Sequence, residues 1–208
     1  MAVSNKAKIW AAIGASGSGK GLWIKSQLTK LKPKRFVAWD FMDEYGQFAK
    51  RVSTLDELRR AMIAAKGGPL AVRYVSRGAG EKAMRKEFEV LCELVYAWGN
   101  CVFIAEELSN VTTPGWAPTA WRKMTTSGRH AAVHIIGTTQ TPALVDKTFL
   151  ANCTLVHVSA LRIDKHREYV ANNIDVDVSR IKALQPLEWI ERDFEANVLR
   201  EGRVTIPK

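Results

Sequence analysis

The run Gly14-Ala15-Ser16-Gly17-Ser18-Gly19-Lys20 places three glycines and a lysine within seven residues. Glycines let successive backbone N–H groups converge on one point, and the closing lysine adds a full positive charge there. Such a loop suits phosphate oxygens. It follows the apolar segment Ile9-Trp10-Ala11-Ala12-Ile13 and precedes Leu22, Ile24, Leu28 and Leu31, which recur with helical spacing. A loop that leaves a strand and opens a helix adds the positive end of the helix dipole to the same place. Two more apolar runs end in polar groups with chemical uses: Val102-Phe103-Ile104-Ala105 closes in Glu106-Glu107, and His134-Ile135-Ile136-Gly137-Thr138 closes in Thr139-Gln140.

Gly14-x-x-x-x-Gly19-Lys20 has the Walker A spacing, in the strand–loop–helix setting that its mechanism requires. It predicts an ATP site formed by Gly14, Ala15, Ser16, Gly17, Ser18, Gly19, Lys20 and Gly21, with Lys20 neutralising the β- and γ-phosphates. One element is missing: the Ser or Thr that would follow the lysine and ligate Mg²⁺ is Gly21. Either water or another side chain completes the metal shell, or metal-dependent hydrolysis is weakened. A strand ending in two acids has the Walker B pattern, which assigns Glu106 to Mg²⁺ and Glu107 to general-base activation of water. Outside this company, the same pair is an ordinary solvated strand end. Gln140, at the tip of the next strand, is the candidate sensor of the γ-phosphate. Arg129 is the first choice, and Arg122 the second, for an arginine that reaches a neighbouring subunit's phosphates. Surface or DNA contact is the competing role for both.

Strands must carry these groups to one edge. Arg35 to Trp39, Leu70 to Val75 and Thr154 to Ser159 are further strands. Helices are predicted from Leu22 to before Pro33, over Leu55 to Ala65 behind a Ser53 or Thr54 cap, and over Glu81 to Trp98. Strands alternating with helices predict one α/β domain over residues 1–208, a mostly parallel sheet covered on both faces. Thr112 to Thr119, with Pro114 and Pro118, reads as a loop, and Leu187 to Pro207 as a final hairpin. Trp10 and Trp39 are expected in the core, with Trp116 and Trp121 at an edge or interface.

The chain carries 31 basic against 21 acidic residues, a formal charge of +10, which points to a polyanionic partner, nucleic acid before membrane surface. The basic residues gather as Lys25, Lys30, Lys32, Lys34 and Arg35, then Lys82, Arg85 and Lys86, then Arg162, Lys165 and Arg167. Each group alone is an ordinary solvated face. Cys92, Cys101 and Cys153 are far apart and lie in apolar runs, so buried reduced thiols are expected rather than disulfides or zinc. No apolar run approaches the ~20 residues of a membrane span, and no signal peptide is expected.

GASGSGKG at 14–21, FVAWD at 36–40, FIAEELSNV at 103–111, SGRHAAVHIIGTTQTP at 127–142 and ANCTLVHVSALRIDKHREYV at 151–170 together resemble the FtsK–HerA superfamily of DNA-pumping ATPases. The likeness spans residues 7 to 170, and its arginine–strand–threonine–glutamine combination is more discriminating than the Walker motifs. The chain's brevity is similar to the genome-packaging ATPases of icosahedral viruses and phages with an internal membrane. The zonula occludens toxin-like assembly ATPases of filamentous phages are similar in their ATPase part. The resemblance implies ATP-driven packaging of double-stranded DNA into a preformed capsid by a homo-oligomeric, commonly hexameric, ring with nucleotide between subunits. It also implies capsid vertex or portal partners, and action in the host cytoplasm during assembly or at the virion vertex. It aligns Asp40 with the family's acidic residue after the second strand, a candidate for metal or nucleotide contact. The alternatives are a filamentous-phage export ATPase, an ATP-binding oligomeric switch with little turnover, and a small-molecule kinase, against which Glu106–Glu107, Gln140 and the basic surplus all count.

Overall fold

The central strand β1 (Ile9–Ile13) leads directly into the glycine-rich loop, and helix α1 (Lys20–Leu31) begins on its lysine. In this computed structural model, which describes residues 7–78 and 80–205, a nine-stranded sheet runs in the order β3-β4-β2-β5-β6-β1-β7-β8-β9. Its strands are β2 (Arg35–Trp39), β3 (Lys50–Val52), β4 (Leu70–Tyr74), β5 (Cys101–Ala105), β6 (Val133–Thr139), β7 (Leu155–Ser159), β8 (Glu188–Asp193) and β9 (Val198–Arg203). From β3 to β7 all neighbours are parallel, and β8 and β9 add an antiparallel hairpin beside β7. The predicted α/β class, the hairpin and the parallel strands match this sheet.

Parallel strands covered on both faces read as unbroken apolar runs, because neither side of the pleat meets water. Val37, Trp39, Phe103 and Ala105 pack into one layer, while Phe36, Ala38, Val102 and Ile104 pack into the other, around Trp23, Ile24 and Leu28 of α1. The first layer is closed by α2 (Leu55–Ala64) and α3 (Glu81–Trp98), which buries Phe88, Leu91, Cys92 and Val95. Thr54, one of the two candidate caps, caps α2 in a reciprocal bond pattern with Glu57. The three cysteines are free and buried.

Four elements have no counterpart in the sequence reading: α4 (Thr119–Ser127), α5 (Lys147–Ala151), α6 (Asp164–Ile174) and α7 (Val178–Ala183). Short β3 also escapes it, because two of its three residues are exposed. Missing α4 misplaced Trp121. That side chain is 0% exposed and lies between Phe88 and Phe149, with ring centroids 5.4 Å from each, because the helix turns Ala120, Trp121 and Met124 inward. Trp116 does stand at an edge, 44% exposed. Trp39 is core as expected, whereas Trp10 is only partly buried, against Trp23 and His134.

Candidate active site

Register sets the strand tips level. Ile13 of β1 pairs with Thr139 of β6 and Val158 of β7, while Ala105 of β5 pairs with Gly137 of β6. The loop is then tied to both neighbouring tips, Gly14 N–H donating to the Thr139 carbonyl at 3.2 Å and Ala15 N–H to that of Ala160 at 2.9 Å. Gly17 and Gly19 have φ of 76° and 103°, backbone conformations that a side chain would strain. Gly19 caps α1 without any side-chain bond, so the first-turn amides stay free for an anion. Ser18 is 4% exposed and its Oγ has no partner among the described residues, an orphaned polar group in the floor of the loop. These features fit a phosphate group.

An open cleft of about 280 Å³ lies over the loop and α1's first turn. It gathers Lys20, Gly21, Glu106, Glu107 and Gln140, so the predicted phosphate, metal, base and sensor positions converge. The two acids are held differently. Glu106 is 7% exposed; its Oε2 accepts the Met42 N–H at 3.2 Å and its Oε1 the Tyr45 hydroxyl at 3.1 Å. Burial pushes its carboxyl up to about 7, opposed by the Met42 N–H, Lys20 and the Tyr45 hydroxyl and reinforced by Asp40. Glu107 adopts a left-handed φ of 46°, and its Oε1 accepts Ser109 Oγ at 2.7 Å, Gln140 N–H at 3.1 Å and Thr139 Oγ1 at 3.2 Å. Among the described residues Glu107 Oε2 takes no such bond, which leaves it for a water in the cleft.

Asp40 does not line the cleft. It is fully buried, accepts the N–H groups of Glu44 and Tyr45 at 2.8 and 3.1 Å, and pairs with Arg73 at 3.0 Å. It therefore shapes the turn that brings Met42, Glu44 and Tyr45 to Glu106. Arg129 and Arg122 also lie outside. Arg129 precedes β6, and seven strand residues at about 3.3 Å each put roughly 20 Å between it and the Thr139 tip. Arg122 is exposed on α4 and donates to the Gly115 carbonyl at 3.1 Å. Arg35, grouped above with exposed cations, is spent internally: it donates to the carbonyls of Asn100, Gly68, Trp98 and Gly99 and stacks 3.4 Å from the Trp98 ring centre.

Two residues that touch the loop, Arg162 and Leu187, have no site role in the sequence analysis. Arg162 donates to the Ser16 carbonyl at 3.4 Å, next to the loop. Leu187, at φ 72°, donates its N–H to the Ser18 carbonyl at 2.9 Å and accepts Val204 N–H at 2.8 Å, so the C-terminal hairpin braces the loop. Leu187 carries no sequence signal for this. Among the described residues no three His, Cys, Asp or Glu side chains cluster as a metal cage. Mg²⁺ seldom uses such a cage, taking one or two carboxylates, phosphate oxygens and water, and the Glu106 carboxylate beside Lys20 fits that donor set.

A strand-borne glycine loop, two acids directly after β5 and a polar tip on β6, the strand between β1 and β5, define the P-loop NTPase class. No family model matches the chain. Protein P9 of Pseudoalteromonas phage PM2 is 30% identical over 177 residues, 83% of this chain and 78% of that protein. The chain belongs to the PM2 protein P9 family. Its fold is shared with solved structures: the genome-packaging NTPase B204 of Sulfolobus turreted icosahedral virus 2, solved with AMPPCP, superposes with a TM-score of 0.78 at 17% identity, covering 96% of this chain and 98% of that one. VirB4 of Thermoanaerobacter pseudethanolicus gives 0.68 at 12% identity, over 100% and 92%.

Proposed function

We propose that this protein is an ATP-driven translocase that packages viral double-stranded DNA into a preformed capsid, acting in the host cell during assembly. The observation that carries the reading is the convergence of Lys20, Glu106, Glu107 and Gln140 on one cleft over the glycine loop. Two likenesses support it: B204, of like fold, is a genome-packaging NTPase solved with an ATP analogue, and the relative P9 is a phage protein. In this reading the loop amides and Lys20 bind and orient the triphosphate. Glu107 Oε2 accepts a proton from water as it attacks, and Gln140 reports the γ-phosphate to the strand tip. Bound Mg²⁺ would neutralise charge between the β- and γ-phosphates, with Glu106 as its protein ligand.

Arg129 lies too far from its own loop to touch the nucleotide there, so in this proposal it acts on a neighbouring subunit's site. The assembly proposed is the ring, commonly hexameric, that the resemblance implies, around sequence-independent duplex DNA, to which the +10 charge is suited. Capsid vertex or portal proteins are the remaining partners of this proposal. A second reading, a nucleotide-dependent oligomeric switch with little turnover, is favoured by one observation, the missing hydroxyl at Gly21. ATP turnover with and without duplex DNA separates the two: stimulation by DNA supports the motor, and binding without hydrolysis supports the switch.

A further inference from the structure

The position that lacks its hydroxyl is not empty of oxygen. A Cβ built on Gly21 would lie 3.5 Å from Glu44 Oε2, an ordinary van der Waals distance, with no other contact within 4 Å. Glu44 lines the same cleft as Lys20 and Glu106. Its placement comes from the backbone: the Glu44 N–H donates to Asp40 Oδ1 at 2.8 Å, and Asp40 is buried and anchored by Arg73. The same turn binds Glu106 twice, through the Met42 N–H and the Tyr45 hydroxyl. One rigid turn therefore fixes the buried acid and presents a second, free-ended one beside the first turn of α1.

The Glu44 carboxylate itself is lightly held. Among the described residues its one ionic partner is Lys25 Nζ at 3.5 Å, in a pair whose side chains are 30% and 45% exposed, the kind that water and salt readily exchange. Carboxylate oxygens bind Mg²⁺ at about 2.0–2.1 Å, so an oxygen so close to the absent side chain is within reach of an ion there. We propose that Glu44 is the ligand that replaces the Walker A Ser/Thr in holding nucleotide-bound Mg²⁺. The assignment rests on the nucleotide reading above. It makes the protein's contribution to the ion two carboxylates, Glu44 and Glu106, in place of one acid and a neutral hydroxyl. Lys25 neutralises Glu44 when no ion is bound.

The test is the affinity for a fluorescent AMPPCP analogue in EDTA and again at saturating Mg²⁺, for full-length protein. The ratio of the two dissociation constants measures the coupling between metal and nucleotide and needs no turnover. In Glu44→Gln the ratio is expected to fall at least fivefold while the EDTA value stays within threefold. Adding Gly21→Ser to that variant is expected to restore the ratio to within twofold of wild type, because a serine Cβ fits beside residue 44. Glu44 is exposed, and a thermal melt verifies that the variants are folded. An unchanged ratio in Glu44→Gln, equal weakening in both conditions, or no rescue by serine would each overturn the assignment alone. A wild-type protein that binds the analogue in neither condition would overturn the nucleotide reading with it.

Discussion

Glu107 Oε1 accepts the backbone N–H of Gln140 at 3.1 Å, locking the end of β5 to the tip of β6. Glu107 holds a left-handed backbone while doing so, a conformation that costs a non-glycine residue roughly 1–2 kcal/mol and persists where its surroundings over-determine it. Thr139 and Ser109 hydroxyls supply the rest of that determination. The base candidate and the candidate sensor strand are thus tied together, and in the proposed mechanism a γ-phosphate contact at Gln140 would be felt at Glu107.

Replacing Glu107 with Gln retains the side-chain shape and Oε1 acceptor but removes the base. ATP turnover is expected to fall by about 10²–10⁴, with nucleotide affinity within threefold of wild type. Single-turnover hydrolysis and equilibrium binding of a fluorescent analogue check both halves. Equal losses in both would show a cleft-shaping role instead.

Gly14 is tightly enclosed. A Cβ there would lie 2.5 Å from Ser18 Oγ and 2.8 Å from Ser159 Cβ. The serine hydroxyl can rotate, but Ser159 Cβ is fixed to β7. Gly14→Ala is expected to lose about 1–3 kcal/mol of stability and at least tenfold in nucleotide affinity, as the loop is pushed off the tips of β6 and β7. Urea denaturation and nucleotide titration measure the two effects.

Acid should loosen the fold from beneath the sheet. Burial, helped by Lys8, pushes His134 down to about 4, and burial also depresses His157 despite its Glu191 partner. Unfolding below pH about 6.5 then takes up a proton at each ring, so their neutral burial contributes fully above that pH and is lost as the pH falls, for His134 on the way toward pH 4. For His134 this amounts to about 1–2 kcal/mol between pH 7.5 and pH 5. His134→Phe, which retains the edge-on contact with Trp10, should reduce the pH slope by that amount in denaturant titrations.

The reach argument for Arg129 makes a mixing prediction. Arg129→Ala protein and Glu107→Gln protein should each be nearly inactive. Mixed, they should recover a measurable fraction of ATPase activity, because a ring can then contain an intact catalytic cleft facing an intact arginine. Mixtures no more active than their components would remove the trans role from Arg129 and pass it to Arg122.

The sheet was largely legible because buried parallel strands write themselves as apolar runs, and β1, β5 and β6 each end in a polar group of distinct chemistry. The loop, Glu106, Glu107 and Gln140 were readable for the same reason: each is tied to a strand end. Glu44 and Leu187 were not. They reach the cleft through a turn set by Asp40 and through a hairpin some 170 residues from the loop, long-range contacts that leave no local pattern. The resemblance offers Asp40 as a candidate for metal or nucleotide contact, yet its oxygens are consumed by Glu44, Tyr45 and Arg73. Trp121 was misplaced because two nearby prolines suit a loop, whereas α4 begins directly after Pro118.

ATP turnover measured with and without duplex DNA, alongside the mass of the assembled species, tests the central claim most directly. A DNA-pumping ring predicts hydrolysis stimulated several-fold by duplex of any sequence, weakening as salt rises, on a homo-oligomer formed with nucleotide and DNA. Hydrolysis that is undetectable under all conditions, or a strict monomer in the presence of both ligands, would contradict it.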